Sequence, residues 1–305
     1  MKAITNDLVG EVSQAGHHKA FALGIFLNSA YIAVEVVFGF LTDSLALLAD
    51  AGHNLSDVFS LFLAWGAAYM AGRPPSGRRT YGLRRASILA ALANAMILLI
   101  AIGAIAWEAV QRFADPPPVA GATVMWVAGT GVLINGFTAL LFMKGREKDL
   151  NIKGAFLHMA ADAGVSLGVV AAGLMMLLTG WPWIDAAVSL LIVVVIAAGT
   201  WGLLRDSLNL ALDAVPPGID LEAVRGYLTS LPQVTAVHDL HIWGMSTTET
   251  ALTAHLVRTN PRVDNALLVK TARELRERFQ IVHVTLQFET DDGRHSCLQG
   301  GEGAL

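Results

Sequence analysis

A single cysteine, Cys297, stands among 305 residues, which excludes an internal disulfide and a cysteine-rich metal cage. Charge is scarce as well: 15% of the residues are Asp, Glu, Lys or Arg, and the formal net charge of −4 implies no basic surface for nucleic acid. The first nineteen residues are polar and no small-residue cleavage site precedes the first apolar run, so no signal peptide is expected. Internal repeats, low-complexity tracts and a His-Glu-x-x-His sequence are also missing. What the chain has instead is apolar surface. Hydrophobic residues make up 54% of it and the mean hydropathy is +0.53, too apolar for an ordinary soluble domain.

The apolar residues are concentrated in the first two thirds. A span needs about 20 largely apolar residues to cross a hydrocarbon core of ~30 Å, and six segments qualify, at about 20–41, 44–70, 86–112, 119–143, 154–179 and 184–208. Turn-forming stretches separate them, among them Asp115-Pro116-Pro117-Pro118 and Thr179-Gly180-Trp181-Pro182. Six spans put both termini on one side. That side collects Lys2, Lys19, Arg73, Arg78, Arg79, Arg84, Arg85, Lys144, Arg146, Lys148 and Lys153, against Arg112 alone opposite. The positive-inside rule therefore makes both termini cytoplasmic, in a multi-pass protein of the cytoplasmic (inner) membrane surrounded by lipid. The expected organisation is an N-terminal segment at 1–19, a six-span transport domain at 20–208, a cytoplasmic domain at 209–290 and a tail at 291–305.

Two intramembrane sequences stand out. The second span contains His53-Asn54-Leu55-Ser56-Asp57 and the fifth His158-Met159-Ala160-Ala161-Asp162, each a His-x-x-x-Asp. Residues four apart share a helix face, so each pair presents an imidazole and a carboxylate to one point. Two such faces supply the two nitrogens and two oxygens that a tetrahedral Zn2+ accepts, and two carboxylates cancel its charge. An ionised group near the bilayer centre costs ~3 kcal/mol on insertion scales, so four titratable groups need a compensating purpose. A histidine must be neutral to bind metal, so metal entry expels protons and the reverse. The expected function is Zn2+/H+ antiport, with His53 or His158 carrying at least one exchanged proton. Transport of Cd2+, Co2+, Fe2+ or Mn2+ through the same site, a membrane metal sensor and a metalloenzyme are the alternatives.

After residue 213 the pattern becomes that of a small soluble fold: a helix near 219–231, strands near 234–243 and 249–258, a helix at 264–279 with Leu268, Ala272, Leu275 and Phe279 on one face, and a strand at 281–289. The fold class is thus an α-helical membrane bundle of six spans followed by an α+β domain of αββαβ order. Its strands carry His238, His241, His255 and His283. Alternation sets His241 opposite Leu240 and Ile242, and His283 on the polar face with Glu289. Strand histidines of this kind are either solvent-facing or possible metal ligands. His295 and Cys297 lie close enough to the C-terminus to join a site there or to belong to a disordered tail. In the first two spans Asn28, Glu35 and Asp50 are read as a proton or water path beside the metal residues, with interhelical hydrogen bonding the alternative for Asn28 and a supporting place around the ligands the alternative for Glu35 and Asp50. Asn135 reads as a polar bridge and Asp185 as a cap of the sixth helix.

Leu48-Ala49-Asp50-Ala51-Gly52-His53-Asn54-Leu55-Ser56-Asp57, Arg79-Thr80-Tyr81-Gly82, His158-Met159-Ala160-Ala161-Asp162 and Val237-His238-Asp239-Leu240-His241-Ile242-Trp243 together resemble the cation diffusion facilitator family, over nearly the whole chain from residue 17. The resemblance implies a transport site at His53, Asp57, His158 and Asp162 of the zinc-preferring kind, proton-coupled metal export, a homodimer, and a metallochaperone-like dimerisation domain. It further implies regulatory zinc at histidines matching His238, His255 and His283. The connection Ser76-Gly77-Arg78-Arg79-Thr80-Tyr81-Gly82-Leu83 lacks the Asp and His with which some relatives bind a further metal, and the 144–153 loop lacks a histidine run, which favours a bacterial type.

Overall fold

A computed structural model describes residues 24–71, 73–143, 150–259 and 265–290. Six long helices come first: α1 (Gly24–Leu41), α2 (Leu45–Ala71), α3 (Ala86–Arg112), α4 (Gly121–Phe142), α5 (Leu150–Thr179) and α6 (Trp183–Ala211). All but α2 are long and apolar enough to cross a membrane. α2 has 27 residues, ample for a span, but Asp50, His53, Asn54 and Asp57 in its first half lower its hydropathy. The surface confirms the solvent. Phe26, Phe40, Leu133 and Leu178 are each about 70% exposed, while Glu35, Asp50, Asn135, Ser166 and Ser189 are fully buried. Large apolar groups outward and polar groups inward is the arrangement that lipid selects and water forbids. The chain is a multi-pass membrane protein.

The described residues fall into two compact units. One takes those up to Phe62 together with Asn94–Trp201; the other takes Leu63–Ala93 and those from Gly202 onward. In the first, Leu47, Ala49, Leu98, Val124, Val169 and Ile196 belong to one apolar core. Asp185 sits at the start of α6, but it does not cap that helix. Its carboxylate receives the Ser44 hydroxyl and the Leu45 and Ala46 amides, so it caps α2 instead. Asn135 forms no bridge: neither of its side-chain atoms has a hydrogen-bond partner among the described residues.

The second unit contains the α+β domain: α7 (Leu221–Thr229), β1 (Val234–Gly244), β2 (Thr250–Arg258), α8 (Asn265–Phe279) and β3 (Ile281–Thr290). Asp220 caps α7 by accepting from the Glu222 and Ala223 amides. The sheet order is β1-β2-β3, antiparallel between β1 and β2 and parallel between β2 and β3, with α8 as the crossover. The expected αββαβ order holds. The buried stripe of α8 is Leu267, Thr271 and Leu275, one residue round from the expected face at its start, so Leu268 is only half-buried. Val224, Leu228, Leu240, Ile242, Leu252, Leu256, Leu275 and Ile281 form the domain's own core.

Candidate functional site

α2 and α5 bring both His-x-x-x-Asp pairs to one place. His53 Nε2 lies 3.8 Å from Asp57 Oδ2 and 3.5 Å from Asp162 Oδ1; His158 Nε2 lies 3.4 Å from Asp57 Oδ2 and 3.7 Å from Asp162 Oδ2. Nitrogen and oxygen alternate around a closed ring of four side chains. Each within-helix pair spans one turn, as the spacing requires, and each between-helix pair is as short. The imidazoles meet edge to face with centroids 6.3 Å apart. Asp57 Oδ2 and Asp162 Oδ1 are buried and have no hydrogen-bond partner among the described residues, which leaves acceptor capacity turned toward the ring's interior. Ligand atoms about 2.0–2.1 Å from a tetrahedral ion lie about 3.3–3.4 Å from one another, so the four sides of the ring are close to that spacing, while His158 must move inward to complete the set. The grouping is tightest for His53, Asp57 and Asp162, whose ligand atoms all fall within 4.8 Å of each other. His158 is the most exposed member, at 42% of its side chain, and Asp162 the least, at 2%.

A buried polar shell adjoins this ring. The Tyr31 hydroxyl donates to Glu35 Oε1 at 2.6 Å, and Asn54, the neighbour of His53, donates to Glu35 Oε2 at 3.2 Å. Ser166, one turn beyond Asp162 on α5, donates to Asp50 Oδ2 at 3.0 Å. Glu35 and Asp50 thus adjoin the helical turns that carry the ring. Asn28 donates to the Gly24 carbonyl at 3.0 Å and lies 3.5 Å from the sulfur of Met159, the residue after His158. Tyr31, Asn54 and Ser166 were not legible as site residues. Their signal was the helical spacing Tyr31 to Glu35 and Asp162 to Ser166.

The α+β domain assembles a second cluster. His238 and His255 face each other across β1 and β2, with ring centroids 5.1 Å apart. Glu289 of β3 reaches both, His238 Nε2 at 2.9 Å and His255 Nδ1 at 2.9 Å. Ligand atoms of His238, His255 and Glu289 lie within 4.8 Å of one another. The other two strand histidines are not among these three, although Asp239, 3.5 Å from His255 Nε2, links His241 to the cluster. His241 is exposed and pairs with Asp239 at 3.0 Å, while His283 stacks edge to face on Tyr81 at 5.4 Å. His295 and Cys297 lie outside the described residues.

Comparison with known proteins identifies both parts of the chain. Residues 21–210 match the family model described as the cation efflux transmembrane domain, and residues 216–291 the one described as the cation efflux protein, cytoplasmic domain. The metal cation efflux system protein CzcD of Cupriavidus metallidurans is 36% identical over 90% of this chain and 87% of its own. The zinc transporter ZitB of Escherichia coli is 38% identical over 88% of this chain and 86% of its own. The cadmium, cobalt and zinc/H(+)-K(+) antiporter of Bacillus subtilis is 30% identical over 93% and 92% respectively. A solved structure of the metal-bound C-terminal domain of CzcD is 36% identical, covering 23% of this chain and 99% of that one, with a TM-score of 0.21.

Proposed function

Since the chain belongs to the cation diffusion facilitator family, and is a divalent-cation efflux transporter rather than an enzyme, we propose that it exports Zn2+ in exchange for H+ through His53, Asp57, His158 and Asp162. The observation that carries this reading is the alternating ring of two imidazole nitrogens and two carboxylates with sides of 3.4–3.8 Å. That donor set suits a tetrahedral ion of borderline softness, and two carboxylates offset a divalent charge in lipid. The names of ZitB and of the Bacillus subtilis antiporter support zinc and proton coupling. Imidazoles supply the coupling, because protonation and metal binding compete for the same lone pair.

The arginine-rich α2–α3 connection supports a cytoplasmic placement of both termini. The transporter acts as a homodimer joined through the cytoplasmic domain and the membrane helices; the cytoplasmic family model supports the first contact. His238, His255 and Glu289 form a regulatory metal site, supported by their mutual approach.

Zinc uptake into proteoliposomes, with internal pH followed by a trapped dye, tests the transport reading. Uptake accompanied by counter-movement of protons is expected, lost in Asp57→Ala and Asp162→Ala. Zinc flux without a pH response removes the exchange and keeps the site; flux that survives both substitutions removes the site. A panel of Zn2+, Cd2+ and Co2+ compared between the native chain and His53→Asp reads the selectivity.

A further inference from the structure

Within the second unit, the α2–α3 connection, residues 213–215 and strand β1 enclose a cavity of about 1120 Å³. Its lining is unbalanced in charge: the guanidinium groups of Arg78, Arg79, Arg84 and Arg85 against the single carboxylate of Asp213. Two of the four are neutralised. Arg84 lies 2.9 Å from Glu249 and Arg85 2.5 Å from Asp213. Arg78 and Arg79 are exposed and have no side-chain ion pair or hydrogen bond among the described residues. Two uncompensated cations therefore face one cavity.

Thr80, Tyr81, His241 and Thr253 add polar groups, but most of the remaining wall is apolar, including Met70, Leu89, Leu240, Ile242, Trp243 and Met245. Leu89 belongs to the membrane span α3 and is 61% exposed, and Met70 at the end of α2 is 38% exposed. The cavity thus pairs positive charge at the polar boundary with an apolar surface continuing onto a span. A soluble anion would satisfy the guanidiniums and leave that wall wet. A neutral lipid would cover the wall and leave Arg78 and Arg79 without counter-charge. A phosphate ester joined to a hydrocarbon chain satisfies both, and guanidinium is the side chain that binds phosphate in a forked geometry.

We propose that this cavity binds the headgroup of an anionic phospholipid, with Arg78 and Arg79 on its phosphoryl oxygens and an acyl chain along Met70 and Leu89. The proposal rests on the cytoplasmic placement of this connection given above, since anionic lipids populate the leaflet on that side and basic juxtamembrane pockets hold them. A volume above the usual ~300–1,000 Å³ of small-ligand pockets accommodates a headgroup and the first part of a chain. The bound lipid touches the first turn of α3 and β1 together, so membrane composition acts on the sheet that carries His238 and His255.

The test uses the full-length protein, stripped of lipid in neutral detergent and titrated with phosphatidylglycerol, phosphatidylcholine and inorganic phosphate, with binding counted by native mass spectrometry. One phosphatidylglycerol per protomer is expected, held at least ~10-fold more tightly than phosphatidylcholine, and the double substitution Arg78→Gln with Arg79→Gln weakens it about 30-fold, at ~1 kcal/mol for each cation near the surface. Arg273→Gln with Arg276→Gln, which removes equal charge from the exposed face of α8 outside the cavity, leaves it within about twofold. Equal loss in both double variants, or equal affinity for phosphatidylcholine, overturns the proposal. Inorganic phosphate displacing the lipid at comparable concentration assigns the site to a free anion and overturns it as well. Zinc uptake measured on the same variants reports separately on the transport reading, because neither pair lies in the metal ring.

Discussion

Asp185 of α6 holds the first turn of α2: its carboxylate accepts the Ser44 hydroxyl at 2.5 Å and the Leu45 amide at 2.7 Å, and both Asp185 and Ser44 are buried. α2 carries His53 and Asp57, so this cap fixes the helix from which half of the His/Asp ring projects. Removing it orphans two backbone donors and a hydroxyl in a site that water does not reach.

Asp185→Ala is therefore expected to lower stability by about 2–3 kcal/mol, a lost cap plus unsatisfied buried donors. Asp185→Asn keeps one acceptor and should cost roughly half as much. Thermal unfolding in detergent, followed by circular dichroism, reads the difference. Equal losses in the two variants would show that the carboxylate acts by charge and not by accepting these bonds.

Gly121 of α4 and Gly173 of α5 let two backbones touch. A Cβ on Gly173 would lie 2.8 Å from the Gly121 carbonyl oxygen and 2.8 Å from the Met125 nitrogen. Both obstacles are main chain and cannot rotate away, in a small-residue contact of the kind by which membrane helices approach closely. Gly173→Ala should destabilise by about 1–3 kcal/mol, the usual range for overpacking. Gly168→Ala, on the same helix but with nothing within 4 Å of its added Cβ, should be neutral or slightly stabilising because alanine favours helix. Unfolding midpoints of the two variants make the comparison.

The His/Asp ring was legible because helical spacing is local: His53 to Asp57 and His158 to Asp162 each close one turn without knowledge of anything distant. α5 begins at Leu150, four residues before the apolar run, which sets His158 about two turns inside the helix. The second cluster was half legible. Plain alternation back from Ile242 and Leu240 puts His238 toward the core. An irregularity between His238 and His241, with Asp239 at a φ of 50°, shifts the phase and turns His238 toward His255. Glu289 could not be found at all without register. β3 pairs in parallel with β2 so that His255 lies opposite Gln287 and His283 opposite Ala251; six residues of strand, ~20 Å, then separate His283 from Glu289. The α2 cap was misread for a similar reason, since its partner lies about 140 residues away.

Those placements separate the strand histidines by experiment. His238→Ala, His255→Ala or Glu289→Ala should each remove one zinc ion per protomer from the full-length protein, whereas His241→Ala and His283→Ala should leave the stoichiometry unchanged. Equilibrium dialysis with metal analysis, on a background of Asp57→Ala and Asp162→Ala to silence the membrane ring, counts them. Loss of the ion in His283→Ala with retention in Glu289→Ala would mean that the ligands come from the other end of β3. The geometry favours Glu289, whose two carboxylate oxygens already reach one imidazole each at 2.9 Å.

Glu35 is fully buried, and its two oxygens are held by neutral donors, the Tyr31 hydroxyl at 2.6 Å and the Asn54 amide at 3.2 Å. Asn54 follows His53 in the chain, so the bond from Glu35 fixes the α2 turn that aims the imidazole at the ring. A group that acts on metal through such an orientation typically changes affinity by 10–100-fold. Asn54→Ala is therefore expected to weaken zinc binding about 10-fold or more by isothermal titration calorimetry. Tyr31→Phe, which leaves the Asn54 bond in place, should weaken it less. Because Glu35 and Asn54 act through one bond, the double variant Glu35→Gln with Asn54→Ala should lose little more than the worse single variant. Additive losses would mean that the two residues reach the ring by separate routes, and the orienting role assigned to their shared bond would fall.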